Sequence, residues 1–587
     1  MNFKLLLAYL IVAIAPSVAQ AERSNIVVIL VDDAALMDFG VYGGEANTPN
    51  IDALAKRGVM FRQYRTSPLC SPSRAMLLTG IDNHQTGMAT IPEVLPPEHK
   101  GQPGYSMSLE PGVLTLADRL RTAGYRTLMT GKWHLGEAAD EMPNVHGFDR
   151  SFALAASGAD NWEDKSYMPY YKDAPWWEDG EETSLPEDFY SSEFIVDKMI
   201  EYLAETDPDK PFLAYLPFQA IHIPVQAPPE FIAKYDGVYD AGWDVLRQSR
   251  HQRAQELGLI AEGAPLAPMQ EDSRRWTELT KEERAVYAAR MEVNAAMMEA
   301  MDYHIGRFID HLKSLGEYEN TIFVIASDNG PEPNRGDKDW RLSLWQELNG
   351  YHIDEEGIGQ KGSWGFIGTE WATAAASPGA YYKFYATEGG IRAPLIISGP
   401  GVTAMQTDAA AMVTDIAPTL LEWVEAPPAP ESARSITGRS LLPLLRGETD
   451  TVYSPDDIRV IEVSGNSALY KGDYKITRSM PPIGDGDWRL YDMAQDPGET
   501  TDIRQEQPAI FEELVSDYDA YAQNNGVLEM PEGYNSFKIV AKNSIARMFK
   551  FYGGILIAFG LVVLAILLAI LYGLYRLVRM MLRKSQV

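Results

Sequence analysis

The stretch Asn25-Ile26-Val27-Val28-Ile29-Leu30-Val31 constrains the fold more than any other part of the chain. A strand that is apolar at every position from Ile26 to Val31 has no face to give to water, so it must lie inside a sheet covered on both sides. Thr321-Ile322-Phe323-Val324-Ile325-Ala326-Ser327 repeats the pattern. Segments 125–130, 212–216 and 394–398 are further short extended runs. Helical patterns lie between them. Thr48 reads as an N-cap with Pro49 at the first helical position and a helix running to Lys56, closed near Gly58. Segments 114–123, 189–205, Lys281–Leu315 and 407–424 are also expected to be helical. Strands alternating with helices predict an α/β fold with a mostly parallel central sheet flanked by helices. That main domain is expected over 24–436. From about residue 437 the signals change to short antiparallel strands at Arg459–Val463, 468–470, 474–477 and 488–491, then a helix at 508–522. These predict a smaller C-terminal α+β subdomain over 437–523, followed by a polar linker at 524–550.

Both ends read as membrane-directed. Residues 1–21 combine Lys4, an apolar run, Pro16 and the small-residue ending Ala19-Gln20-Ala21, the pattern of a secretory signal peptide. Residues 551–575 are apolar and free of charge, long enough for a transmembrane helix. Arg576, Arg579, Arg583 and Lys584 make 576–587 a basic tail, which the positive-inside rule leaves in the cytoplasm. The bulk of the chain is then expected on the periplasmic side of a bacterial inner membrane, or on the extracellular or lumenal side in a eukaryote. The chain has no Asn-x-Ser/Thr acceptor, which favours the periplasm. The formal net charge of -31 argues against a nucleic-acid partner, because phosphate binding needs a basic face.

Open α/β sheets bind ligands beyond the carboxyl ends of their strands, and the chemically unusual residues fall there. Asp32 and Asp33 follow the first strand directly, and Asp328-Asn329-Gly330 follows the strand ending at Ser327. Lys132 and His134 follow segment 125–130, on one face if the chain stays extended, and His222 follows segment 212–216. Asp32, Asp33, Asp328 and Asn329 offer hard oxygen donors, which suit calcium better than magnesium or zinc. Cys70, the single cysteine of the 587 residues, cannot form an intramolecular disulfide. It lies two residues before Pro72, so it is expected at a helix N-terminus, where free N–H groups favour anions. A buried inert thiol and a nucleophilic thiol are both open readings of it.

Cys70-Ser71-Pro72-Ser73-Arg74 followed by Leu78-Thr79-Gly80 resembles the signature of the type I, formylglycine-dependent sulfatases of the alkaline phosphatase superfamily. In the same order come Thr48-Pro49-Asn50-Ile51-Asp52, Gly131-Lys132-Trp133-His134-Leu135-Gly136, Ser327-Asp328-Asn329-Gly330 and Glu388-Gly389-Gly390-Ile391-Arg392-Ala393-Pro394. Arg489-Leu490-Tyr491-Asp492 is similar to the family's C-terminal signature, and the resemblance spans roughly residues 25–503. It looks closest to bacterial arylsulfatases, with His222 in Ile221-His222-Ile223-Pro224 and Lys383 in Tyr381-Tyr382-Lys383 at the expected places.

The resemblance implies hydrolysis of sulfate esters, aryl sulfates foremost, on sulfated small molecules or glycans. It implies that a formylglycine-generating enzyme converts Cys70 to Cα-formylglycine (3-oxoalanine), and that Asp32, Asp33, Asp328, Asn329 and residue 70 hold Ca2+, with Mg2+ the lesser fit. One hydroxyl of the hydrated aldehyde would attack sulfur, with Asp328 as base and Arg74 orienting the diol. Lys132 and Lys383 would neutralise the sulfate, His222 would protonate the leaving oxygen, and His134 would deprotonate the second hydroxyl so that the aldehyde reforms. His84, Arg392 and Trp162 receive no role. A phosphonate monoester or phosphodiester hydrolase on the same scaffold is the alternative enzyme. A sulfated-ligand binding protein with unmodified Cys70 is the alternative outside catalysis.

Two intervals, 160–186 and 235–276, read as insertions at the mouth of the site, and 335–371 is expected to join the same rim.

Overall fold

The computed structural model describes residues 23–584 apart from 206, 338 and 353–356; the expected signal peptide at 1–21 lies outside the described residues. The strands of the main sheet are β1 (Asn25–Val31), β2 (Gly58–Arg65), β3 (Arg126–Lys132), β4 (Arg150–Leu154), β5 (Trp176–Glu178), β6 (Glu181–Thr183), β7 (Phe212–Pro217), β8 (Thr321–Ser327), β9 (Leu395–Ser398) and β10 (Met405–Met412). They form a ten-stranded sheet in the order β10-β2-β9-β8-β1-β7-β3-β4-β5-β6. The centre, β8-β1-β7-β3-β4, is parallel. Toward the edges β9 runs antiparallel to both β2 and β8, and β5 and β6 continue antiparallel from β4, so the sheet is mixed. Val27, Ile29 and Val31 of β1 enter the core on one face, and Ile26, Val28 and Leu30 the core on the other. This two-sided burial is why β1 is apolar throughout.

Two local expectations need correction. Residues 407–424 are not one helix. Met405–Met412 is β10, paired with β2, and only Ile416–Trp423 is helical. The alanines at 409–411 favour a helix in isolation, but the ladder to β2 overrides that weak preference. Helix α1 (Pro49–Lys56) forms as expected, but the Thr48 side chain does not cap it. Thr48 Oγ1 accepts from Gly40 N, while Asp302 of the long helix Lys281–Leu315 accepts from the amides of Asn50 and Ile51 at 3.1 and 2.9 Å. A carboxylate from a distant helix thus satisfies the free donors of α1.

The C-terminal strands β11 (Arg459–Val463), β12 (Asn466–Lys471), β13 (Tyr474–Arg478) and β14 (Trp488–Asp492) form a separate four-stranded antiparallel sheet in that order. Two buried charge clusters join it to the main body. In the first, Glu388 accepts from Arg65 at 2.9 Å and from Lys475 at 3.1 Å, and Lys475 also meets Glu499 at 2.7 Å. In the second, His84 lies between Asp82, at 3.3 Å, and Glu462 of β11, at 2.6 Å. Burial opposes charge on His84, but hydrogen bonds to Asp82 and Glu462 outweigh it and push its pKa up to about 9. A histidine whose pKa is raised on folding stabilises fully below its unfolded pKa, about 6.5, and loses that contribution as pH rises through the folded value. We expect unfolding free energy to fall by on the order of 3 kcal/mol between pH 6.5 and 9.5, and this slope to vanish in His84→Gln. Denaturant melts of both proteins at the two pH values check it.

Segment 524–550 is not a loose polar linker. The helix Pro508–Asn525 is followed by a helix of 49 residues, Ser536–Lys584. Its first turns pack on the main body: Asn543 Nδ2 donates to the carbonyls of Glu93 and Leu95 at 2.9 and 3.0 Å, and Arg547 pairs with Glu137 at 3.0 Å. Within it, Gly560–Leu582 is long and apolar enough to cross a membrane, and none of it is buried.

Candidate active site

Residues from β1, β3, β8 and the loops after β7 and before β9 meet above one edge of the sheet. Helix α2 (Cys70–Thr79) points its N-terminus at the same place, and every residue in it is buried. Asp32 and Asp33 leave β1, Asp33 with φ of 68°, a left-handed conformation that aspartate tolerates better than most residues. The turn aims the two carboxylates at Cys70, whose Sγ lies 3.4 Å from Asp32 Oδ1 and 3.9 Å from Asp33 Oδ1. Ligand atoms of Asp32, Asp33, Cys70 and Asp328 all lie within 4.8 Å of one another. Asn329 completes the group, its Nδ2 donating to Asp33 Oδ1 at 2.6 Å. The loop carrying it packs too closely for a larger residue after it: a Cβ on Gly330 would stand 2.0 Å from the Gly389 carbonyl oxygen.

Three cations oppose these acids. Lys132 Nζ lies 2.5 Å from Asp32, Lys383 Nζ lies 2.8 Å from both Asp33 and Glu332, and Arg74 meets Asp328 at 2.8 Å and Asp32 at 3.6 Å. Arg74 also donates to the Lys132 carbonyl, so its guanidinium ties α2 to the ends of β3 and β8. Burial is the largest influence on Asp33 and Asp328. It raises Asp33 to about 6 against the pull of Lys383, and it raises Asp328, helped by Asp32 and opposed by Arg74. Cys70 is held well above the ordinary thiol value, chiefly by burial. A buried cluster of this kind fits a divalent cation. Asn329 Oδ1 is buried and has no hydrogen-bond partner among the described residues, leaving an amide oxygen beside three carboxylates. Oxygen donors so arranged suit a hard divalent cation.

Two histidines lie beside the group. His222 Nδ1 lies 2.6 Å from the Ile223 carbonyl oxygen, which turns Nε2 toward Asp33 at 3.8 Å. Tyr167 stands edge-on to the ring at 5.1 Å, and a Cβ on Gly158 would meet Nδ1 at 2.7 Å. Lys132 is the last residue of β3, and His134 takes φ of 55°, a left-handed backbone, so the chain leaves strand geometry at His134. Neither ring nitrogen of His134 has a hydrogen-bond partner among the described residues, and Glu93 lies 4.0 Å away. Burial, followed by the charge of Lys132, holds both imidazoles well below the usual histidine value.

A cavity of about 180 Å³ opens over Cys70, with His134, His222 and Lys383 on its polar side and Ile91, Met168, Trp364, Phe384 and Val540 among its walls. The structure thus brings together all ten of the residues singled out from the sequence: Asp32, Asp33, Cys70, Arg74, Lys132, His134, His222, Asp328, Asn329 and Lys383. The rim contains parts of two of the three expected segments, Tyr167 and Met168 from 160–186 and Arg335, Leu342 and Trp364 from 335–371. Segment 235–276 is not part of it: Trp243 and Trp276 pack on Trp371 and the long helix. His84, Arg392 and Trp162 also lie elsewhere, in the clamp to β11, against the carbonyls of Arg62 and Leu259, and on Tyr190. Sequence reasoning missed Glu332, the second partner of Lys383, which lies only three residues after Asn329. It also missed Val540, whose place in the wall no local signal announces.

Acids gathered for a cation, two lysines at its margin, two imidazoles and a helix N-terminus beneath an apolar cavity define a hydrolase that works on an anionic ester. Residues 24–426 match the sulfatase family model. The chain is 36% identical over 541 residues to an uncharacterised sulfatase of Schizosaccharomyces pombe, covering 88% of this chain and 96% of that one. It is 36% identical over 459 residues to an arylsulfatase of Klebsiella aerogenes, covering 75% and 94%. Among solved structures, Ps i-CgsB in complex with a neocarrahexaose aligns with a TM-score of 0.61 at 20% identity over 90% of this chain and 100% of that one, a likeness of fold. The chain belongs to the sulfatase family, and it is a sulfuric ester hydrolase.

Proposed function

We propose that this enzyme hydrolyses sulfate esters of phenols and other apolar alcohols, using formylglycine at position 70 and a Ca2+ held by Asp32, Asp33, Asp328 and Asn329. The observation that carries the reading is the position of Cys70: its Sγ lies beside Asp32 and Asp33 in a fully buried site, where burial disfavours a thiolate and a neutral hydroxyl beside a cation is at home. Bound Ca2+ supplies positive charge against the sulfate oxygens. The formylglycine hydrate supplies one hydroxyl to attack sulfur and a second whose deprotonation restores the aldehyde.

The chain's own residues do the rest. Lys132 and Lys383 flank the acids and receive the remaining sulfate oxygens, holding the group in line with residue 70. Asp328, fixed by Arg74, takes the proton of the attacking hydroxyl, and Arg74 fixes the diol through the same helix. His134, with both nitrogens free of hydrogen-bond partners among the described residues, takes the proton of the second hydroxyl. His222 donates through Nε2 to the departing oxygen. A sulfate entering between Lys132 and Lys383 cancels the two charges that, after burial, depress His222 most. The apolar walls favour a phenyl or alkyl group over a bare sugar. The apolar helix Gly560–Leu582 supports membrane anchoring, with export through the segment at 1–21 and the site on the periplasmic side. A catalytic domain over 24–436 and a subdomain over 437–523 complete the proposed organisation.

Mass spectrometry of the peptide spanning Cys70, from protein made in its native host, tests the reading: an aldehyde is expected, and an unmodified thiol in active enzyme overturns it. A phosphodiester preference in relative kcat/KM overturns the choice of ester. His222→Asn is expected to lose about 10²–10⁴-fold in kcat on an alkyl sulfate, the usual worth of a general acid, and much less on nitrophenyl sulfate, whose leaving group needs no proton. Steady-state rates across a series of phenols measure the difference.

A further inference from the structure

Beside the catalytic cavity lies a groove of about 800 Å³ that the hydrolysis of a small soluble ester does not require. It runs between the C-terminal helix and the segment from Met88 to Met107, and it meets the catalytic cavity at His134, which lines both. The helix presents Val540 to the cavity and Asn543, Ala546, Arg547 and Lys550 to the groove. Val540, Asn543, Arg547 and Lys550 are spaced by three and four residues, so one helix face roofs both spaces. Opposite it the groove is walled by Met88, Leu95, Pro96 and Pro97, with Lys100 near them. Immediately after Lys550, at Phe551, the charge-free run begins. The helix is unbroken from Ser536 to Lys584, so the cavity stands at a set height above the apolar segment. At the rise of an α-helix, Val540 lies roughly 17 Å along the axis from Phe551.

The groove therefore bridges that height. It starts beside Phe551, where the charge-free run begins, and carries Lys100 and Lys550 at its margin, with Glu141 and the Arg547–Glu137 pair beside them. It has apolar side chains along its wall and ends at an imidazole of the reaction centre. We propose that the substrates are sulfated amphiphiles resident in the surrounding bilayer, each an anionic sulfate ester of an alcohol that carries a long apolar chain. The sulfate leads along the groove past Lys550 to residue 70, and the chain lies behind it between Leu95 and Pro96 on one side and Ala546 on the other. Exposed lysines at a membrane surface attract anionic headgroups, which favours entry at this end. This rests on the sulfate-esterase reading and names the substrate class for the same site.

Chain length separates the groove from the chemistry. Full-length enzyme carrying formylglycine is placed in phosphatidylcholine vesicles and given 4-methylphenyl and 4-dodecylphenyl sulfate, whose leaving groups are chemically alike. The dodecyl ester is expected to show kcat/KM at least about tenfold higher, a margin that burial of roughly two methylenes supplies. Ala546 is exposed in the groove, and Ala546→Trp is expected to remove that margin while leaving the methyl ester within about twofold, with Ala546→Leu intermediate. Turnover of the methyl ester shows that each variant is folded. Equal rates on the two esters, or a margin that survives Ala546→Trp, overturns the proposal and leaves the esterase reading intact. No turnover of either ester overturns both.

Discussion

Cys70→Ala abolishes turnover: kcat/KM on an aryl sulfate falls by at least about 10⁴-fold, the scale on which enzymes lose a nucleophile that acts as a unit with its partners. The alanine has no group to attack sulfur, and none of Asp32, Asp33 or Asp328 can replace it, because each is engaged by a cation or an amide. The fold should be untouched. The substitution removes one buried atom at the start of α2, and the helix is held by Arg74 and by the hydrogen bond from Ser67 N to Ser73 Oγ, neither of which involves residue 70. Thermal melting within a few degrees of wild type, together with a missing burst of phenol in rapid-mixing experiments, is the expected result. Residual turnover within tenfold of wild type would contradict a nucleophile at this position.

Asp33→Asn is expected to reduce kcat/KM by about 10³-fold and to erase stabilisation by added Ca2+. Asparagine accepts the left-handed backbone at φ of 68°, so the substitution removes charge without straining the turn. It leaves Lys383 with Glu332 alone and deprives the cluster of one of its three carboxylates. In the wild-type protein Ca2+ at a hundred times its Kd should stabilise the folded state by about 2.7 kcal/mol, read as a rise in melting temperature. In the variant that rise disappears at the same concentration. The melting shift needs no turnover, so it reports on the cation site independently of the rate. An unchanged calcium response in Asp33→Asn would remove this residue from the site.

The reading of the sequence succeeded where one physical signal dominated. Double-sided burial made β1 and β8 legible to the residue, and the long helix forms over the Lys281–Leu315 expected of it. The site residues were legible because they fall at strand ends and carry unusual chemistry. Side-chain direction was less so. Lys132 and His134 share the site as their spacing suggested, but the left-handed φ of His134 is not something strand alternation foretells. β10 was missed because its alanines speak weakly and its pairing with β2 lies more than 300 residues away in the chain, in a register no local pattern encodes. The role of 536–550 was missed for a similar reason: its polar residues look like solvent contacts until Glu93, Leu95 and Glu137 are seen to meet them.

The cluster around Glu388 bears on how little of this chain can stand as an enzyme. The family match ends at residue 426, and all ten of the proposed catalytic and metal-holding residues precede that point, although Val540 of the cavity wall does not. Yet Lys383 lies five residues before Glu388, and Glu388 is anchored by Lys475 from β13, with Glu499 accepting from its backbone amide at 2.7 Å. A chain cut after 426 would keep all its chemical groups and the Arg65–Glu388 pair, but the buried Glu388 carboxylate would lose Lys475 and Tyr470, and its backbone amide would lose Glu499. The heritable unit, the shortest piece that gene duplication or fusion can move and still yield a working catalyst, is therefore longer than the stretch that carries the chemistry. It extends at least through Glu499.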